Sequence, residues 1–110
     1  MKKTLLLFAS VAILSLTSCN KDVTSCIEMD STSISTGQSI QFTSCSENSL
    51  SYDWRISGPE TAPENNKGWS DKVINVEFSV PGSYIMTLKS YPKFSKLGNE
   101  ATSTATFNVN

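Results

Sequence analysis

From residue 26 onward, apolar and polar residues alternate in short runs separated by glycine, proline and asparagine. A period of two sends alternate side chains to opposite faces, the signature of half-buried antiparallel strands. Cys26-Ile27-Glu28-Met29 puts Ile27 and Met29 on one face, and Ser39-Ile40-Gln41-Phe42-Thr43-Ser44 turns Ile40 and Phe42 inward. The pattern recurs in Tyr52-Asp53-Trp54-Arg55-Ile56, in Ile74, Val76 and Phe78, in Tyr84-Ile85-Met86-Thr87-Leu88 and in Ala105-Thr106-Phe107-Asn108-Val109. Helical periodicity is scarce. Six strands, with room for a short seventh within residues 57–71, predict an all-β antiparallel β-sandwich of six to seven strands.

The start of the chain follows another rule. Met1-Lys2-Lys3 is basic, and Leu5 to Leu16 is an apolar run broken only by small residues. These are the n-region and h-region of a secretory signal, too short for a spanning helix of about 20 apolar residues. The run ends in Leu16-Thr17-Ser18-Cys19, which resembles a bacterial lipobox. The resemblance implies cleavage before Cys19 and acylation of its sulfur and new amino group. Each buried CH₂ adds roughly 0.8 kcal/mol, and two or more chains anchor a protein stably. The expected organisation is a signal peptide over 1–18, a lipidated Cys19 with a short tether over 19–25, and a domain over 26–110. An ordinary signal with an incidental cysteine is the alternative. Asn20-Lys21-Asp22 has no aspartate directly after Cys19, the residue that retains some lipoproteins in an inner membrane. Outer-membrane sorting is therefore expected. The lysine and acid also resemble the surface-export tether of Bacteroidetes lipoproteins, which implies display on the cell surface.

Composition narrows the function. Removing residues 1–18 leaves 92 residues, room for one small domain. Lys2 and Lys3 leave with the signal, so nine basic residues become seven against ten acids, a side-chain net of −3. A nucleic-acid partner is not expected from that balance. The chain has no histidine and its acids are scattered, which removes the usual zinc sites and any histidine base. The expectation is a protein that is not an enzyme, with no metal and no cofactor beyond the covalent lipid on Cys19.

Phe78-Ser79-Val80-Pro81-Gly82-Ser83-Tyr84-Ile85-Met86-Thr87-Leu88 resembles the PGxYxVxL signature of PKD domains, the immunoglobulin-like module named after polycystic kidney disease. Tyr52-Asp53-Trp54 matches that family's strand-C aromatic pair, Gly37 to Phe42 its strand B, and Ala101 to Val109 its last strand. The resemblance covers about Ser25 to Val109 and implies an immunoglobulin-like, PKD-like sandwich. It departs after Trp54, where Arg55-Ile56-Ser57-Gly58-Pro59 replaces the family's frequent Phe-Gly-Asp-Gly. In such folds the strand-C tryptophan packs the centre, so Trp54 reads as core rather than as a sugar platform. Tyr84 reads as a corner tyrosine bonded to backbone.

Cys26 and Cys45 remain as an even pair in an oxidising compartment. If the first two strands pair about a turn near Ser35-Thr36-Gly37, Met29 faces Phe42, Ile27 faces Ser44 and Cys26 faces Cys45. The apolar pattern and the cysteines agree on one register. A Cys26–Cys45 disulfide is expected, closing a loop of about 20 residues worth roughly 3 kcal/mol in the chain-entropy model. Two free thiols are the alternative.

The candidate contact residues lie outside the strand pattern, the aromatics Trp69, Tyr91 and Phe94 and the aliphatic Leu97, with Lys93 and Lys96 beside them. In an immunoglobulin-like sandwich these are expected at one end, opposite the Pro81-Gly82 turn. Such a cluster can stack on sugars, hold a protein or sit in a membrane interface; alternatively Phe94 and Leu97 close the end of the sandwich under their own loop. The first strand begins at this end too, and Asn20 to Ser25, six residues, reaches at most about 20 Å. The cluster is thus expected near the membrane, with the Pro81-Gly82 end outward. Asp30-Ser31-Thr32 resembles a short O-glycosylation sequon of Bacteroidetes, with Ser31 as acceptor. The functional expectation is a binding or adhesion module for glycans or a host surface, or else a protein-interaction accessory subunit of a cell-envelope complex.

Overall fold

The structure, a computed structural model, describes residues 22–94, 96 and 99–110. Eight strands form: β1 (Ile27–Met29), β2 (Ser33–Ile34), β3 (Ser39–Ser44), β4 (Ser51–Ser57), β5 (Gly68–Trp69), β6 (Val73–Glu77), β7 (Gly82–Tyr91) and β8 (Ala101–Val109). They make a three-stranded sheet in the order β1-β3-β6 and a five-stranded sheet in the order β2-β8-β7-β4-β5. All pairs are antiparallel except β2 with β8.

The alternation does what the pleat requires. In β6 the side chains of Ile74 and Val76 are buried while Val73, Asn75 and Glu77 face outward, and in β3 Ile40 and Phe42 are buried against them. Five aromatics tie the two inner faces together. The Phe42 ring lies 5.4 Å from Phe107 and 6.1 Å from Trp54. Phe78 meets Tyr84 at 5.0 Å and Phe107 at 5.1 Å, both edge-on, and Tyr84 stacks on Phe107 at 5.3 Å. Offset and edge-on contacts of this kind add to the burial of the rings themselves. Trp54 is fully buried and its indole N–H donates to the Asp71 carbonyl at 2.7 Å. The Tyr84 hydroxyl donates to the Val80 carbonyl, four residues upstream.

Ile27 pairs with Ser44 and Met29 with Phe42, the register that the apolar pattern predicts. The short seventh strand is β5. The eighth, β2, has no counterpart in the sequence reading, because two residues in a Ser/Thr-rich stretch acquire strand geometry only by pairing with β8, some 75 positions away. The departure after Trp54 has a packing reason. A Cβ on Gly58 would lie 2.3 Å from the Tyr84 ring, and one on Gly82 would lie 2.5 Å from Pro59. The Ser57-Gly58-Pro59 turn is therefore pressed onto the start of β7. Asn65 clamps it, accepting from the Gly58 N–H and donating to the Pro59 carbonyl, both at 2.7 Å.

The strand registers give the sandwich two distinct ends. At one end lie the starts of β4, β6 and β8, the ends of β3 and β7, and the entering chain. At the other lie the turn at Gly37, the Ser57–Pro59 turn, Pro81-Gly82 and Asn110.

Candidate functional site

Cys19 and Leu97 lie outside the described residues. The chain that follows Cys19 is bound to the domain over more of its length than the sequence suggests. The Asp22 carbonyl accepts from Asn48 Nδ2 at 2.9 Å, and the Thr24 N–H donates to the Glu47 carbonyl at 3.0 Å. Thr24 Oγ1 in turn accepts from the Glu47 N–H at 2.9 Å. Ser25 enters a run of serine hydroxyls between the sheets. Its Oγ donates to the Leu88 carbonyl at 3.1 Å and meets Ser103 Oγ at 2.6 Å, while Ser46 Oγ lies 2.8 Å from both Ser44 Oγ and Ser90 Oγ. Ser44 and Ser90 are buried, so these mutual bonds satisfy hydroxyls that water cannot reach. Within the stretch from Asn20 to Ser25, Asp22, Thr24 and Ser25 are thus bonded to the domain. Their partners are 20 to 78 positions away, which no local pattern reveals.

Cys26 and Cys45 are joined beside this segment, with Cα atoms 4.8 Å apart. The Cys45 N–H donates to the Cys26 carbonyl at 3.0 Å, extending the β1–β3 ladder by one pair.

The aromatic cluster divides. Trp69 belongs to β5 and pairs with Trp54, partway along β4, and its half-buried side chain packs on the core. Tyr91 is the last residue of β7 and is buried. Burial, first, and then the nearby Glu100 and Asp53 carboxylates push its hydroxyl above the ordinary tyrosine range. Neither residue is an exposed loop aromatic: each extends a strand whose length is set by its neighbour rather than by local alternation. Phe94 alone stands out, 78% exposed. Lys93 is exposed beside it, and Lys96 lines a shallow depression of about 320 Å³ with Asp53, Arg55, Gly68, Trp69 and Ser70. Ser31 Oγ is engaged in its own turn, donating to the Ser33 carbonyl at 2.9 Å.

Two surfaces emerge that the sequence did not single out. At the entry end Leu50 is 51% exposed, two residues after Asn48, and its N–H donates to the Tyr91 carbonyl at 2.8 Å. At the opposite end a groove of about 780 Å³ is lined by Thr32, Ser57, Ser83, Ile85, Thr106 and Asn108, with Gly58, Tyr84 and Phe107 beneath. Ser57, Ile85 and Thr106 form one row across β4, β7 and β8, and Ser83 and Asn108 the next. They are outward-facing strand positions whose alternation was legible, but only the register puts them side by side. Hydroxyls and an amide surround one exposed aliphatic side chain, which suits hydrogen bonding more than acid–base chemistry. Among the described residues no three His, Cys, Asp or Glu side chains come together as a metal site.

No family model matches the sequence, and no curated protein matches it. Among solved structures, the chain is similar to the PKD1 domain of Vibrio anguillarum Epp, at 20% identity with a TM-score of 0.60, over 82% of this chain and 95% of that one. It is also similar to the PKD1 domain of the Vibrio cholerae metalloprotease PrtV, at 18% identity with a TM-score of 0.60, over 82% of this chain and 99% of that one. At these identities the likeness is one of architecture: the chain has a two-sheet β-sandwich fold like that of these PKD domains.

Proposed function

We propose that this protein is a non-catalytic outer-membrane lipoprotein, anchored through acylated Cys19, whose domain binds glycans or a host surface. The observation that carries the reading is the position of the polar groove. It lies on the outer face of the five-stranded sheet near the Pro81-Gly82 end, away from the entry of the chain at Asp22, so a domain tethered through Cys19 keeps it clear of the membrane. Its chemistry fits a polyhydroxylated ligand. Ser57, Ser83, Thr106 and Asn108 supply donors and acceptors, and Ile85, 45% exposed, offers an apolar surface for the C–H face of a sugar. The test is a glycan array and host-cell adhesion assay with the purified protein, repeated with Ile85→Glu and with Asn108→Ala. Binding that both substitutions abolish supports the reading, and binding that neither changes removes the groove from it.

A second reading, an accessory subunit of a cell-envelope complex, is favoured by the docked segment at Asp22 to Ser25. A domain held that close to a bilayer suits contacts with neighbouring anchored proteins. Protease shaving of intact cells, with a periplasmic protein as leakage control, separates the two. Cleavage in intact cells favours surface binding, and protection until the outer membrane is opened favours the envelope complex. Ser31 remains the proposed O-glycosylation acceptor; an unmodified intact mass of the mature protein would rule it out.

A further inference from the structure

The large apolar side chains left exposed are not spread evenly. Among the described residues four are strongly exposed, Leu50, Val73, Ile85 and Phe94. Ile85 belongs to the groove, whereas the other three lie at the end where the chain enters. Leu50 and Phe94 are brought together by two bonds: the Leu50 N–H donates to the Tyr91 carbonyl, and Ser51 Oγ donates to the Lys93 carbonyl. Val73 starts β6 at this end, next to Lys72, whose carbonyl accepts from the Ser44 N–H. The entering chain joins the same place, since Asp22 is bonded to Asn48, two residues from Leu50.

Docking shortens the reach of the tether. With Asp22 already held by the domain, only Asn20 and Lys21 separate it from Cys19, a span of about 10 Å at full extension. A headgroup layer is itself roughly 5–8 Å deep, so that reach holds this end at the surface to which Cys19 is fixed.

From this placement we infer that the entry end of the sandwich is itself a membrane-contacting surface, with Leu50 and Phe94 inserted among the lipid headgroups. The inference rests on the proposed lipid anchor at Cys19. The occupant is a lipid surface rather than a protein because the anchor would deliver this end to it at every encounter. Aromatic and aliphatic side chains at a bilayer interface bury apolar area, while lysines beside them run their stems along that boundary and keep the ammonium group in water. Lys93 precedes Phe94 and Lys72 precedes Val73 in the chain, each placed to do so, whereas Lys96 lies against Asp53, Arg55 and Trp69. Asp22 and Glu47 lie at the same end, so the apolar pair, not a basic field, drives the contact. The consequence is a fixed, upright domain with the groove held away from the membrane.

The test uses the full lipidated protein reconstituted in vesicles of phosphatidylethanolamine and phosphatidylglycerol, with acyl chains brominated near the headgroup. Tryptophan is introduced as Phe94→Trp or Ile85→Trp, and the emission of the unsubstituted protein, which carries Trp54 and Trp69, is subtracted. Quenching of the Phe94→Trp signal with the Ile85→Trp signal unchanged is the expected result. If the protein floats with the vesicles but neither signal is quenched, or both are quenched equally, the upright contact is wrong while the anchor stands. If the protein does not float with the vesicles, the anchor and the inference fail together.

Discussion

A single methyl group at Gly58 would meet the ring of Tyr84 at 2.3 Å, and that ring is stacked on Phe107 and cannot retreat. Gly58→Ala is expected to destabilise the domain by about 2 kcal/mol, the range for overpacking a filled core, read as a lower urea midpoint. Glu64 poses the opposite case. It is 3% exposed, and its Oε1 has no hydrogen-bond partner among the described residues. A neutral amide costs less to bury than a carboxylate, so Glu64→Gln is expected to raise stability at neutral pH by about 1 kcal/mol, measured by the same midpoint. Tyr84 and Tyr91 give stability a dependence on alkaline pH. Burial, with Glu64 as the lesser cause, raises the Tyr84 hydroxyl above its ordinary value, and Tyr91 is raised as described above. The folded state then holds these protons longer than the unfolded state. Their contribution is complete below the unfolded tyrosine pKa of about 10 and is lost as pH rises through the folded values. Tyrosinate absorbance from these two residues is expected to appear together with loss of near-ultraviolet circular dichroism above about pH 10.

Among the elements, the β1–β3 ribbon was the most legible. Alternation in both strands and the two cysteines pointed to one register, and Ile27 opposite Ser44 and Met29 opposite Phe42 follow it. β1 is only three residues long and lies at a sheet edge, so its position depends on what ties its ends. Replacing Cys26 and Cys45 together by serine is expected to cost about 3 kcal/mol. Because the Asp22–Ser25 segment precedes Cys26, hydrogen exchange at Thr24 is expected to accelerate in that variant even under conditions where the core amides stay protected. Unchanged exchange at Thr24 would mean that the serine bonds alone hold the segment. β5 and β2 illustrate the limit of local reading. Each is two residues long and exists as a strand only because a longer neighbour, β4 or β8, supplies its partner.

At the scale of the whole molecule, the two ends of the sandwich differ. One end gathers the entering chain, the disulfide, the serine network and three exposed apolar residues; the other presents a polar groove. On the proposal that Cys19 is lipidated, Cys19→Ala is expected to release the protein from the membrane fraction while the thermal midpoint of the domain is unchanged, because the core, the disulfide and the Asp22–Ser25 contacts all lie after it in the chain. Fractionation and circular dichroism of the same preparation check both halves.

The sequence by itself determined the sandwich and its core. Period-two alternation depends only on the pleat, so Ile40, Phe42, Trp54, Ile74, Val76, Tyr84 and Phe107 could be assigned inward without knowing their partners. The resemblance of residues 1–19 to a signal with a lipobox is likewise a matter of linear spacing, and the anchor it implies is a proposal. Tertiary structure alone decided that Trp69 and Tyr91 serve the fold, that Asp22 to Ser25 is docked, and that Leu50 and Ser51 are bonded to the Tyr91–Lys93 segment leading to Phe94. The reason is physical: exposure and hydrogen bonding between residues tens of positions apart depend on strand register and loop path, which no local pattern encodes.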